Sequence, residues 1–314
     1  MKKFIVTLLL IFIPILLFSF GFDYLITKTL RKSKDKNYVV WNDLVSGKIN
    51  STVLIYGSSR ARAHVNSKIL EDSLHLSVYN LGIDSYTFKM QYCRHQLVLQ
   101  ENIKPSYIIQ TLDYSSLGDV EGLYQQQQFL PYFNNKIITT TIATYKGFNW
   151  ADYHLPLVRY YGCTKQIASS LNILLRPSHN KGNRYKGFYN SDQNWTFEFE
   201  KIKKEKNQVH QIIQKKIIKL FDNYLSDLKN RNIKIIFVYT PEYIEGQKFI
   251  SNRTEIIKLY KDMALKYNIP FIDYSSDTIC LKRDYFYNAE HLNLKGANLF
   301  SKKLAIDLKK YIKN

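Results

Sequence analysis

Cysteine is scarce in this chain, and its few positions exclude two common uses of the residue. The three cysteines, Cys93, Cys163 and Cys280, lie far apart, with no CxxC pair or other metal-ligand spacing. An odd and sparse set argues against a disulfide scaffold. The 7 histidines likewise show no metal-binding spacing. The sequence therefore implies no metal site and no organic cofactor.

Acidic residues are also few, because 26 Asp and Glu stand against 45 Lys and Arg, for a formal net charge of +19. A chain with this excess of positive charge is suited to bind nucleic acid, an anionic polymer or a membrane surface. The lysines are scattered, and no zinc-finger, RRM or other nucleic-acid signature accompanies them. We therefore do not predict nucleic acid as a partner.

One long apolar run is present, and it lies at the N-terminus. Residues 4–22 carry no charge, and about 20 apolar residues are needed to cross a bilayer core. A cleaved signal peptide is the rival interpretation, but the small-x-small cleavage pattern is poor and the run is long for such a peptide. We predict an uncleaved transmembrane anchor over residues 1–23, followed by a basic linker over residues 24–40.

The charges that flank this run leave its orientation open. The basic residues after it outnumber Lys2 and Lys3 before it, and the positive-inside rule then favours a cytoplasmic domain. A short N-terminus that carries lysines instead favours export of the rest of the chain.

Apolar runs and helical stripes alternate through the remaining residues, 41–314. Strands are predicted at residues 52–56, 77–81, 107–112, 234–239 and 270–272, and helices are predicted within 209–228 and 297–308, the latter behind Asn293 as its N-cap. This alternation predicts an α/β domain with a parallel sheet and helices on both faces. Residues 115–205 break the pattern, and we interpret them as an aromatic-rich insertion over the strand ends.

Two short segments far apart carry the residues of a nucleophilic site. Ser59 follows the first predicted strand, in Gly-Ser-Ser-Arg at residues 57–60, and His291 closes Asn-Ala-Glu-His at residues 288–291. A serine hydroxyl needs a base within hydrogen-bond reach and donors aimed at the developing oxyanion. We therefore expect Ser59 to act as the nucleophile and His291 as its base.

The oxyanion donors are expected from the carboxyl ends of the first three strands, where parallel sheets bind their substrates. The backbone N–H groups of Ser59 and Gly82 are the first candidates, and Asp113 would point a side chain into the same crevice. Two further residues are candidates for substrate binding. Arg60 could attract an anionic substrate, and Trp150 could stack on a sugar.

These blocks resemble the SGNH/GDSL hydrolase superfamily. In that superfamily a Gly-Asp-Ser block carries the nucleophile, a glycine and an asparagine in two later blocks supply oxyanion donors, and Asp-x-x-His supplies the base. Here Ser58 replaces the first Asp, Gly82 matches the glycine, Asp113 replaces the asparagine and Asn288 replaces the last Asp. The resemblance spans about residues 52–312 without the insertion. It implies a three-layer, flavodoxin-like SGNH fold and ester hydrolysis or acyl transfer through an acyl-serine.

The chain as a whole looks most like the membrane-anchored branch that modifies cell-envelope polymers, which includes alginate O-acetylation proteins and the accessory protein of teichoic-acid D-alanylation. That resemblance implies a single-pass protein of a bacterial-type inner membrane with an extracytoplasmic domain. It also implies an acylated cell-envelope glycan as substrate and a membrane-bound acyltransferase as a partner.

Asn288 leaves the activity itself open. An Asp at this position would orient His291 and stabilise its imidazolium form, whereas an Asn can only orient it. The site could run as a Ser–His dyad held by another group, such as a backbone carbonyl, or Glu290 or Asp284 could substitute. Alternatively, the protein is a catalytically weak or inactive relative that binds glycan or serves as a scaffold in an envelope-polymer assembly.

Overall fold

The computed structural model describes residues 2–190, 192–205 and 208–313. The chain divides into two compact units, each made of two segments. The first unit comprises Met1–Asn42 and Glu121–Asn183, and the second comprises Asp43–Val120 and Arg184–Asn314. The predicted insertion at 115–205 is thus divided between the units, with residues 121–183 in the first and residues 115–120 and 184–205 in the second.

The elements are numbered in chain order. The strands are β1 Val53–Tyr56, β2 Val78–Asn80, β3 Tyr107–Leu112, β4 Lys234–Tyr239 and β5 Phe271–Asp273. The α-helices are α1 Lys2–Leu30, α2 Val39–Val45, α3 Ser59–His64, α4 Ser67–Leu74, α5 Phe88–Glu101, α6 Lys136–Ile142, α7 Trp150–His154, α8 Thr164–Leu175, α9 Glu198–Glu205, α10 Lys215–Asn230, α11 Ile244–Phe249, α12 Arg253–Tyr267 and α13 Leu294–Leu308.

The second unit is built on a five-stranded sheet with the order β2-β1-β3-β4-β5, and every neighbouring pair is parallel. This is the flavodoxin-like order, in which the direction of winding reverses between β1 and β3. In such sheets the crevice outside the carboxyl ends of the two central strands is the usual place for a ligand. The predicted parallel α/β sheet is confirmed.

Helices cover both faces of this sheet, as predicted, because side chains alternate along a strand. Val53 and Ile55 of β1 point toward α13, where they share a core with Phe300. On the opposite face, Phe237 of β4 stacks on Phe221 of α10 with ring centroids 5.7 Å apart. Both faces are therefore buried, which accounts for the nearly continuous apolar runs of the strands.

The predicted strand and helix positions of the second unit are confirmed with one exception. All five strands lie where the apolar runs predict them, and Asn293 caps α13 by accepting a hydrogen bond from the N–H of Gly296, with 2.9 Å between the atoms. The exception is the helix predicted to begin at Val209. The N–H of Val209 donates to the carbonyl of Phe249 at 2.9 Å, and α10 begins only at Lys215, so the first residues of that apolar stripe pair with another segment.

The first unit contains α1, which in the described part of the chain is the one helix long and apolar enough to cross a membrane by length and composition. Its N-terminal part is exposed, whereas Ile26 and Leu30 near its end are fully buried. Residues 24–30, which we expected within a linker, continue the same helix. Asp23 fixes this part of α1 by pairing with the guanidinium of Arg159, and its carboxylate also accepts the N–H of Leu157 at 2.9 Å.

Candidate active site

A tight turn after β1 positions the predicted nucleophile. Gly57 has a φ of 150°, and a Cβ there would lie 1.9 Å from the Oγ1 of Thr111, so only glycine fits. Ser58 then caps α3, and Ser59 is the first residue of that helix. The N–H groups at the start of a helix lack intrahelical acceptors. The turn therefore presents the hydroxyl and the backbone N–H of Ser59 together at the carboxyl end of β1.

The structure brings Ser59 and His291 together, although 232 positions separate them in the chain. The Oγ of Ser59 lies 2.7 Å from the Nε2 of His291. His64, buried at the end of α3, holds the incoming segment in place, because its Nε2 accepts the N–H of Leu292 at 3.1 Å. Its ring also meets that of His291 edge-on, with 6.0 Å between the centroids.

Asn288 determines which nitrogen of His291 carries the proton. Its Oδ1 accepts the backbone N–H groups of Glu290 at 3.0 Å and His291 at 2.9 Å. Because two backbone donors mark this amide atom as the oxygen, the Nδ1 of His291, 3.0 Å away, must donate to it. The Nε2 is then the unprotonated nitrogen and accepts the hydroxyl of Ser59. Asn288 thus holds the tautomer that a general base requires, without supplying a negative charge.

His291 is held as a neutral imidazole. Desolvation of the ring lowers its pKa, and the positive charges of Arg60 and Arg62 lower it further, to about 3. Burial also lowers the pKa of His64 well below the ordinary histidine value, with contributions from His291 and the same two arginines. At neutral pH His291 therefore has a free lone pair, but its protonated form is costly in this surrounding.

Arg60 was predicted to attract a substrate, and the structure corrects this expectation. Its side chain is 4% exposed and forms an ion pair with Glu242, and it lies over the ring of Tyr114 at 4.9 Å. Glu242 also accepts the Nε of Arg253 at 2.9 Å and the hydroxyl of Tyr239 at 3.1 Å. The charge of Arg60 is thus compensated by Glu242 in a buried ion pair beside the site, and does not face a substrate.

Gly82 is close to the nucleophile turn, but its N–H is not free. It donates to the Oδ1 of Asn80 at 2.9 Å, so the predicted oxyanion role of Gly82 is not supported by this geometry. A Cβ at Gly82 would lie 2.4 Å from the backbone nitrogen of Arg62, which makes close packing of the second strand end on α3 the reason for glycine. Asn80, which sequence reasoning missed, connects the two by also donating to the carbonyls of Ala61 at 2.7 Å and Val65 at 2.9 Å.

Asp113 was predicted as a further oxyanion group, and the structure contradicts this. Burial alone would raise its pKa, but Arg60 and the neighbouring serine hydroxyls outweigh that effect and hold the pKa below its usual value. An ionised carboxylate only accepts hydrogen bonds. It accepts the Oγ of Ser58 at 2.6 Å and the N–H of Ser115 at 2.9 Å. The two departures from the superfamily pattern, Ser58 and Asp113, are therefore in contact with each other.

The site opens into a cavity of about 470 Å³ within the second unit. Ser59 and His291 lie in its wall with Thr87 and Tyr114, and Glu290 lies beside them. The carboxylate of Glu290 accepts the hydroxyl of Tyr114, so Glu290 does not replace the missing Asp of the triad. Asp284, the other substitute considered, contributes its backbone carbonyl to the side chain of Asn293 at 2.8 Å.

Trp150, the second predicted substrate-binding residue, belongs to the first unit. Its exposed ring stacks on His154 with 4.7 Å between the centroids, and its role in binding sugar stays a prediction. Within residues 2–190, 192–205 and 208–313, no group of three or more His, Cys, Asp or Glu side chains is placed to hold a metal ion.

Comparison with protein-family models and with curated proteins gives no match. Among solved structures, the chain is similar to the acetyl xylan esterase AlAXEase, at 12% identity over 83% of this chain and 100% of that chain, with a TM-score of 0.41. It is also similar to the acetylxylan esterase Axe2 from Geobacillus stearothermophilus, at 12% identity over 85% of this chain and 97% of that chain, with a TM-score of 0.39.

A third similar structure is a GDSL-like lipase from Bacteroides thetaiotaomicron, at 12% identity over 83% of this chain and 88% of that chain, with a TM-score of 0.35. Because these identities and TM-scores are low, the chemistry of the site is inferred from its own side chains.

Proposed function

We propose that the second unit is a serine ester hydrolase domain that works through an acyl-serine intermediate. The observation that supports this most directly is the hydrogen-bonded chain from Ser59 through His291 to Asn288, with 2.7 Å and 3.0 Å between the bonded atoms. A serine hydroxyl aligned on the unprotonated nitrogen of a neutral imidazole is the ground state of nucleophilic acyl transfer.

The proposed reaction has two stages. The Oγ of Ser59 attacks the ester carbonyl while its proton passes to the Nε2 of His291, and the N–H of Ser59 donates to the oxyanion that forms. The intermediate collapses to the acyl-serine, and the leaving alcohol takes the proton from Nε2. Water, or a sugar hydroxyl in the transferase variant, then attacks the acyl group and restores the free serine.

We propose an O-acylated cell-envelope glycan as the substrate and a membrane-bound acyltransferase as the partner, with α1 as an uncleaved anchor and the rest of the chain outside the inner membrane. The polar wall of the cavity supports a substrate rich in hydroxyl groups. Asp119, Glu290 and Tyr114 all line it, and carboxylates and phenols are suitable partners for sugar hydroxyls. A reporter fused to the C-terminus would test the orientation.

A second candidate function is supported by a different observation. Gly82 and Asp113 do not offer the donors that the superfamily pattern assigns to their positions, and Asn288 is neutral. A protein with this site could bind an acylated glycan and serve as a scaffold in an envelope-polymer assembly without turning the ester over.

Intact-mass labelling of the full-length, solubilised chain with a fluorophosphonate separates the two functions. We expect one adduct on the wild type and none on Ser59→Ala. Ser85→Ala is the matched control, because Ser85 is an exposed serine in the same cavity wall and should leave the adduct in place. An unlabelled wild type that still binds acylated oligosaccharide would favour the scaffold. Transfer to an added oligosaccharide, compared with hydrolysis, would distinguish transferase from esterase.

A further inference from the structure

A second cavity, of about 560 Å³, lies beside α1 within the first unit. One wall is formed by Tyr24 and Lys28 of α1 and by Arg31 directly after it, and Pro131 and Asn134 contribute to the wall around them. The three residues recur at a spacing of three to four, and the N–H of Arg31 still donates to the carbonyl of Thr27 at 3.1 Å, so they lie on one side of the helix and its end. This cavity has no part in the chemistry proposed for the second unit.

The cavity has more positive than negative charge. Its one carboxylate, Asp23, is already paired with Arg159, whose Nε lies 3.2 Å from it. Arg31 donates to the carbonyl of Pro131 at 2.8 Å and to the side-chain oxygen of Asn134, and both of these acceptors are neutral. Within the described residues, Lys28, Arg31 and Lys32 form no ion pair with a carboxylate. Three cations around one cavity that are not paired with a carboxylate point to an anionic ligand.

The position of the cavity along α1 indicates the source of that ligand. The uncharged residues 4–22 form a helical length of about 28 Å at 1.5 Å per residue, which matches a bilayer core of about 30 Å. The next two turns of α1 then lie at the depth of the lipid headgroups. Tyr24 is 63% exposed there, at the level where aromatic side chains concentrate in membrane proteins, and the Nζ of Lys28 lies over its ring at 5.5 Å.

We propose that this cavity binds the phosphate headgroup of an anionic phospholipid, with Lys28, Arg31 and Lys32 as its donors. The inference rests on the proposed membrane anchor. The first unit would then bind lipid in addition to containing the membrane helix α1. Anionic lipid would fix the height and rotation of α1 through paired charges, in addition to the apolar contacts of the bilayer core.

Thermal unfolding of the full-length chain in detergent tests the proposal. Three probes are added separately: phosphatidylglycerol, phosphatidylcholine with the same acyl chains, and inorganic phosphate. We expect phosphatidylglycerol to raise the Tm by on the order of 5 °C at saturation and phosphatidylcholine to leave it within about 1 °C. An equal shift with both lipids would overturn the proposal. A full shift with inorganic phosphate would overturn the lipid as the source.

The double variant Lys28→Gln/Lys32→Gln should weaken the apparent affinity for phosphatidylglycerol by about tenfold or more. It leaves Arg31, which also has structural contacts, in place. The control Lys302→Gln/Lys309→Gln removes the same charge from an exposed position of α13 and from the exposed residue directly after it, and should bind as the wild type does. Equal loss in both variants would show a bulk-charge effect and overturn the site.

The intact mass of the membrane-extracted chain tests the anchor separately. A chain that has lost its first residues at a signal-peptide cleavage site would overturn the anchor, and this site with it. An intact chain that does not distinguish the two lipids would overturn the site alone.

Discussion

The two sides of the candidate active site differ in how far they keep the superfamily pattern. The base side, formed by Ser59, His291 and Asn288, is a continuous chain of hydrogen bonds. On the oxyanion side, the N–H of Gly82 is used by Asn80, and Asp113 is an acceptor bonded to Ser58, so only the N–H of Ser59 is left of the predicted donors. On the base side, neutral Asn288 can take the place of Asp because it keeps the hydrogen bond to His291. On the oxyanion side, the N–H of Gly82 cannot bind an oxyanion while it donates to Asn80.

The largest effect on activity is expected from a substitution on the base side. His291→Gln removes the proton acceptor, and general-base catalysis by a positioned side chain is typically worth about 10²- to 10⁴-fold. We expect kcat/KM for an aryl acetate to fall by about 10³-fold, with the fold retained by circular dichroism. His154→Gln, at an exposed histidine of the first unit, is the control. Equal turnover in the two variants would remove His291 from the mechanism.

The next prediction tests whether the two departures on the oxyanion side compensate each other. Ser58→Asp alone sets a second carboxylate against buried Asp113 and should lower the free energy of unfolding by about 3 kcal/mol. Adding Asp113→Asn returns both positions to the superfamily residues and should recover most of that loss. A double-mutant cycle from urea unfolding measures the coupling. Additive effects of the two changes would contradict the compensation.

A third prediction concerns the close packing at Gly82. A methyl group there meets the backbone of Arg62 and the side chain of Ala61, at 2.4 Å and 2.8 Å, so Gly82→Ala should lower the free energy of unfolding by about 2 kcal/mol. Gly122→Ala is the control, because nothing lies within 4 Å of the added atom. If Gly82→Ala kept its stability but lost labelling by fluorophosphonate, the glycine would have a direct catalytic role after all.

A smaller effect is expected from restoring the charge on the base side. In a serine protease the reverse change, Asp to Asn, costs about 10⁴-fold in turnover because it imposes the wrong tautomer. Asn288 already holds the correct tautomer, so Asn288→Asp adds only the charge. We expect kcat to rise by about tenfold, measured with the same aryl ester. No gain, together with intact glycan binding, would support the scaffold function.

The smallest expected effect concerns the pH dependence of kcat/KM. Desolvation, Arg60 and Arg62 lower the pKa of His291 to about 3, and the neutral ring is the active form. The wild type should therefore keep its kcat/KM as the pH falls through the ordinary histidine value of about 6.5 and lose it only as the pH approaches 3. In Asn288→Asp the added carboxylate raises the pKa, so the acid limb should move upward. A wild-type limb near pH 6.5 would show that the base is not this ring.

Much of this arrangement could be predicted from the sequence, because its signals are local. The strand runs, the cap at Asn293 and the Ser59 and His291 blocks are each encoded within a few residues of their own positions. The bond from the N–H of Gly82 to Asn80 is local as well, because an Asn side chain commonly accepts the backbone N–H two residues on. The use of Arg60 could not be predicted, since it depends on Glu242, which packing alone brings near. The short stripe that begins at Val209 misled for the same reason: its periodicity is helical, but its backbone pairs with a distant segment.

The distance between Ser59 and His291 along the chain also has a consequence for biosynthesis. Ser59 is made first, and His291 follows 232 residues later, just ahead of α13, which packs on α3 and α4. Contacts between such distant parts form late, because the intervening chain must be ordered first. A nascent or C-terminally clipped chain therefore carries a serine without its base. In this protein, reactivity toward an ester would report that synthesis has passed His291 and that the domain has folded.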